Sequence, residues 1–134
     1  MIPFEFVVVG TPVSVQAKNR KRLGAWKAKV KANAIAEWPA EDDPSEIELQ
    51  ATIVFYYDEA FPDTDNIIKP ILDALCGVVY FDDSQITDVH TSRRDLNGSF
   101  TVKGMAPVLA RGFSKASDFV YVRIEQPPDP QELI

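Results

Sequence analysis

The chain has 134 residues, 46% of them hydrophobic and 25% charged, the values of an ordinary globular domain. A chain of this length buries about 65–70% of its unfolded surface around one core. Disorder, collagen-like repeats and a membrane protein are excluded by composition, and with Cys76 as the only cysteine an internal disulfide is excluded too.

The net charge is −6, but it is unevenly spread. Residues 16–35 carry Lys18, Arg20, Lys21, Arg22, Lys27, Lys29 and Lys31 and no acid, whereas every acid except Glu5 lies from Glu37 onward. The molecule reads as a basic arm on an acidic body. Basic clusters attract phosphate irrespective of base sequence, and clustered carboxylates serve to bind cations.

In chain order, Phe4-Glu5-Phe6-Val7-Val8-Val9 is a strand rich in β-branched and aromatic residues, closed by the turn Gly10-Thr11-Pro12. A basic loop follows. From Ala25 onward Trp26, Val30, Ala34 and Trp38 recur every four residues until Pro39, the pattern of an amphipathic helix with Lys27 and Lys31 on its exposed side. After a turn over residues 41–45, residues 47–57 alternate and then become wholly apolar, as in a strand more buried toward its end.

Ile67, Ile68, Ile71, Leu72 and Leu75 have helical spacing, with Gly77 as a stop. Pro70 limits the start of this helix to near Asn66, because proline is tolerated only in the first turn. Residues 86–96 and 119–125 read as strands. Between them, residues 97–118 contain Gly98, Gly104, Pro107 and Gly112 without sustained periodicity and read as a long irregular loop or hairpin extension.

The expected fold is therefore a single small α+β domain, order β-α-β-α-β-β, with a mixed sheet flanked by two helices. Its expected limits are residues 1–126, followed by a mobile, proline-containing tail over residues 127–134. The N-terminus lacks the basic region and apolar stretch of a secretory signal, which leads to the expectation of a cytoplasmic protein.

Asp63 and Asp65 are two apart in the connection before the second helix, so their carboxylates can point to one side. Asp65, Lys69 and Asp73 are spaced by four and form a polar stripe beside the apolar face. Asp82 and Asp83 follow the apolar step Val78-Val79-Tyr80-Phe81, from which a short loop could return one carboxylate toward Asp63 and Asp65. Such a cluster repels itself unless a cation is bound. Mg²⁺ takes oxygen ligands from one or two carboxylates and from phosphate, and the chemistry that follows is phosphodiester hydrolysis, with Lys69 offsetting charge on the phosphoryl oxygens. A calcium-loop reading fails, since Ile67, Ile68 and Ala74 stand where a ligand, a glycine and a glutamate are needed. An Asp-nucleophile phosphatase needs a larger parallel sheet.

The run Pro62-Asp63-Thr64-Asp65-Asn66-Ile67-Ile68-Lys69-Pro70-Ile71-Leu72-Asp73-Ala74-Leu75, followed by Gly77-Val78-Val79-Tyr80-Phe81-Asp82-Asp83-Ser84-Gln85-Ile86, resembles the RusA-type Holliday junction resolvase family. The resemblance extends over roughly residues 4–96. It implies a homodimer acting on branched DNA with Mg²⁺, or Mn²⁺ in its place, and paired symmetric nicking of four-way junctions in DNA recombination and repair. It also implies Asp63, Asp65 and Asp83 as metal-binding and catalytic carboxylates and Lys69 as the catalytic lysine. No membrane and no small-molecule cofactor is expected.

Lys18, Arg20, Lys21, Arg22, Lys27 and Lys31 are the expected DNA contacts. Asn66, Asp73 and Asp82 are supporting residues: Asn66 a helix cap or an orienter of the acids, Asp73 a salt-bridge partner holding Lys69, Asp82 without an assigned role. Gln85 reads as a hydrogen bond at a strand start, His90 as a sheet-face residue, Cys76 as a small core residue, and Trp26 and Trp38 as core or dimer-contact aromatics. The competing readings are a non-cleaving DNA-binding relative, such as a prophage remnant, and a nuclease for flaps, forks or single strands.

Overall fold

The computed structural model describes residues 1–59, 63–98, 105–115 and 117–129. The elements are β1 (Phe4–Val9), α1 (Arg20–Glu37), β2 (Leu49–Tyr57), α2 (Thr64–Leu75), a 3-10 turn (Asp83–Gln85), β3 (Ile86–Asp95), α3 (Pro107–Ser114) and β4 (Phe119–Glu125). The sheet order is β1-β4-β2-β3. β4 pairs antiparallel with both β1 and β2, so β1 and β2 run the same way, and β3 pairs parallel with β2. This is the α+β class with a mixed sheet that the pattern of elements predicts, with a third helix added.

Alternation along the strands sorts side chains to two faces. Phe4, Phe6, Val8, Leu49, Ala51, Ile53, Phe55, Val120, Val122 and Ile124 meet Leu23, Trp26, Val30 and Ala34 of α1 and Ile67, Ile71 and Leu75 of α2 in the main core. On the other face a smaller cluster joins Tyr56, Leu109 and Phe119, with Phe113 packed against it. Trp26 and Trp38 are both buried in the main core, as expected of core aromatics. The half-buried Cys76 packs against the same core, and His90 is exposed on β3.

Three boundaries differ from the sequence reading, each for a local reason. α1 begins at Arg20, well before Ala25, because the Asn19 side chain accepts the Arg22 N–H at 3.0 Å and caps the helix. Arg20, Lys21 and Arg22 thus form a helical first turn. α2 begins at Thr64 with Asp63 as its N-cap residue, which puts Pro70 inside the helix.

The third difference is α3, in the stretch read as irregular. Two turns are too short for periodicity to stand out, yet Pro107 occupies a favoured first helical position. The rest of that stretch, residues 99–104 and 116, lies outside the described residues, as do residues 130–134 of the expected tail.

α3 docks through Gly112, where an added Cβ would lie 2.6 Å from Phe119 Cε2. That ring is fully buried and stacks on Tyr56 at 4.6 Å, so it has little room to move. Gly112→Ala should therefore destabilise the fold by about 1–3 kcal/mol through overpacking. Urea unfolding measures this; a variant as stable as the parent would show that α3 does not seat closely on Phe119.

Candidate active site

Because β1 and β2 run in the same direction, the connections β1-to-α1 and β2-to-α2 leave the same edge of the sheet. The two helices pack side by side, and their N-terminal ends therefore share that edge. One brings Arg20, Lys21 and Arg22; the other brings Asp63 and Asp65. This juxtaposition of cations and acids spans distant parts of the chain.

The joint between them depends on Pro70. Proline has no N–H, so the carbonyl of Asn66 four residues earlier lacks its helical partner. The N–H of Val15, in the basic segment, donates to that carbonyl at 2.9 Å. Arg20 Nη1 in turn donates to the Val15 carbonyl at 3.2 Å. Asn66 therefore sits in the first turn of α2 and anchors the basic segment through its backbone.

Pro70→Ala should restore a competing helical donor and speed exchange of the Val15 amide about fivefold, the equivalent of about 1 kcal/mol. Unchanged protection of Val15 in the folded variant would separate the basic segment from Pro70.

Along α2, Asp65, Lys69 and Asp73 occupy successive turns opposite the buried Ile67, Ile71 and Leu75. Lys69 Nζ lies 2.8 Å from Asp73 Oδ1 and 2.6 Å from Asp83 Oδ2. The hydrogen bonds it donates to Asp73 first, then to Asp83, hold its pKa well above the ordinary lysine range. Lys69 is thus a fixed ammonium. Lys27 of α1 reaches Asp73 Oδ2 at 3.7 Å, so this expected DNA contact is engaged with α2, whereas Lys18, Arg20, Lys21, Arg22 and Lys31 are exposed.

Asp82 receives a role that its position in the sequence left open. Its carboxylate accepts the Ser84 N–H at 3.3 Å and its own N–H donates to Gln85 Oε1 at 3.1 Å, a reciprocal capping box on the turn that carries Asp83. The Ser84 side chain and N–H together hold its carboxyl below the usual carboxylate range. Beyond α2, the buried Tyr80 hydroxyl donates to the Leu72 carbonyl at 2.6 Å and ties this connection back to the helix.

Asp63 and Asp65 are exposed, and neither carboxylate is paired with another described residue. Two free hard-oxygen donors suit Mg²⁺, which is held by one or two carboxylates and completes its shell with water and phosphate. The full convergence of acids considered from the sequence is absent: among the described residues no three His, Cys, Asp or Glu side chains are grouped closely enough to hold one ion. Asp83 meets Lys69 at mid-helix, while Asp63 and Asp65 remain at the N-terminal end.

Asp118 was not singled out in the sequence. Its carboxylate accepts the Thr11 hydroxyl at 2.9 Å and the Asp58 N–H at 2.8 Å, tying the ends of β1 and β2 together beside the site. A lone aspartate before a strand carries no signal of such a role.

A fixed ammonium, exposed carboxylates and a basic helix start are groups of the kind that phosphodiester hydrolysis uses. The sequence agrees: the profile of the family Endodeoxyribonuclease RusA matches residues 6–103, well over half of the chain, and the chain belongs to that family. A comparison with curated proteins finds no match. The matched stretch contains α1, α2 and β3, whereas α3 and β4 follow it. Among the described residues, no helix is long and apolar enough to cross a membrane.

Proposed function

We propose that this protein is a Mg²⁺-dependent endonuclease that resolves four-way DNA junctions as a homodimer by paired, symmetric cuts, in DNA recombination and repair in the cytoplasm. Residues 1–126 form the nuclease domain. The observation that carries the reading is the Lys69 ammonium held by Asp73 and Asp83 on the helix whose N-terminal end carries the exposed Asp63 and Asp65.

Asp63 and Asp65 bind the metal, with Asp83 as the third carboxylate of the site. Mg²⁺, or Mn²⁺ in its place, supplies Lewis-acid polarisation of the phosphate and a more acidic water. Lys69 offsets the charge developing on the phosphoryl oxygens. The cations of residues 18–22, with Lys31, hold the DNA backbone.

A second reading, a DNA-binding relative that does not cut, is favoured by the absence of a three-acid group among the described residues. Incubation of the protein with a synthetic four-way junction, a linear duplex and a flap, each with Mg²⁺ or EDTA, separates the readings. Symmetric nicks in the junction with Mg²⁺ alone are expected. Cutting confined to the flap would move the substrate class, and binding without cutting would establish the non-cleaving relative.

A further inference from the structure

We propose that Gln85 is the positioning residue that presents the Asp83 carboxylate to Lys69. The role of that contact in cleavage rests on the function proposed above; the contact itself does not. Gln85 lies at the end of the 3-10 turn, and its side chain makes four hydrogen bonds. Its Oε1 accepts the N–H groups of Phe81 at 2.9 Å and Asp82 at 3.1 Å. Its Nε2 donates to the carbonyls of Ser45 at 2.8 Å and Ile47 at 2.9 Å. Both lone-pair directions of the amide oxygen and both amide protons are used.

The consequence is a turn clamped from both sides. Phe81 and Asp82, immediately ahead of Asp83, are held on one side, and the segment leading into β2 on the other. Ser45 is itself fixed, its N–H donating to the Val79 carbonyl at 2.7 Å. Asp83 follows directly on this clamped pair, and its Oδ2 reaches Lys69 at 2.6 Å. The four hydrogen bonds of the Gln85 side chain go to none of Lys69, Asp63 and Asp65, so it acts through Asp83 and takes no part in the chemistry.

The amide is specific for this task. Glutamate has the same shape but turns both donors into acceptors facing two carbonyls. Methionine keeps the length and loses all four bonds. Asparagine keeps the amide but is one methylene short.

The test reads the Lys69 ammonium directly. In ¹⁵N-labelled protein its ¹H–¹⁵N resonance, assigned by its loss in Lys69→Arg, is slowed in solvent exchange by the two carboxylates. In folded Gln85→Met the resonance should move to the position and exchange rate seen in Asp83→Asn. Single-turnover junction cleavage should fall about tenfold to a hundredfold, as for a small misplacement of a reacting group, while junction affinity in EDTA stays within about twofold of the parent. Where Gln85→Met does not fold, Gln85→Asn is read in the same way.

A Lys69 resonance unchanged from the parent overturns the proposal, as does a loss of rate matched by an equal loss of junction affinity. A parent protein that cuts no DNA would remove the proposed function alone, since the Lys69 resonance still decides the part played by Gln85.

Discussion

Asp65→Asn and Asp83→Asn should each abolish Mg²⁺-dependent cleavage, lowering the rate by about 10²–10³-fold or more, while junction binding in EDTA is kept. Asparagine preserves the size of the side chain and removes only its charge, so the fold is not challenged. Both aspartates stand outside the buried core. The two variants should fail for different reasons.

Asp65 is exposed and unpaired among the described residues, and its loss takes a carboxylate from the proposed metal site. Asp83 is bound to Lys69, and its loss leaves that ammonium with Asp73 as its remaining acid. Asp65→Asn should therefore raise the Mg²⁺ concentration needed for half-maximal rate, whereas Asp83→Asn should also loosen Lys69. Cleavage at the parent rate in both variants would remove the acids from the mechanism.

Neutralising Lys18, Arg20 and Arg22 together should weaken junction binding and flatten its dependence on salt. Each lost phosphate contact lowers the slope of log K against log salt by about 0.9. α1 gives a second, independent expectation. A helix N-terminus carries partial positive charge, so cations in the first turn are unfavourable by about 0.3–1 kcal/mol each at exposed positions.

α1 has three cations there, no acid in its first turn and Glu37 at the opposite end, the reverse of what its dipole favours. Arg22→Gln should thus leave the free protein equally stable or slightly more stable while weakening its hold on DNA. A binding slope unchanged by the triple substitution would return this turn to an ordinary solvated surface. Urea unfolding and salt-titrated junction binding measure the two effects separately.

The parts of the fold legible in the sequence were those with strong local signals. Strand β1 follows from its β-branched and aromatic content, β2 and β4 from alternation, and α2 from its apolar spacing, and residues 86–96 read as the strand that became β3. The start of α1 was missed because its first turn is held by one capping bond from Asn19 and carries charge where periodicity looks for apolar residues. α2 was cut short because Pro70 was read as a limit on the helix. In the fold the carbonyl that Pro70 frees is satisfied by Val15, 51 positions from Asn66 in the chain, and no local rule anticipates such a partner.

For the site, the spacing Asp65, Lys69 and Asp73 already puts an ammonium beside an acid one turn away, and the ion pair to Asp73 follows from helical geometry alone. The choice between Asp82 and Asp83 does not follow. Two adjacent aspartates point in different directions once the chain turns: Asp82 folds back to cap the turn, and Asp83 faces Lys69. Gln85 looked like a minor hydrogen bond because its partners Ser45 and Ile47 lie about forty positions earlier.

Residue type and short spacing alone thus disclose the α+β class, the candidate acids and lysine, and the separation of basic from acidic residues along the chain. The tertiary structure settles the meetings between groups far apart in the chain, such as that of Asp83 with Lys69. The common direction of β1 and β2 brings the basic helix start to the edge that holds Asp63 and Asp65, and the turn after α2 brings Asp83 to Lys69, one helical turn along from Asp65.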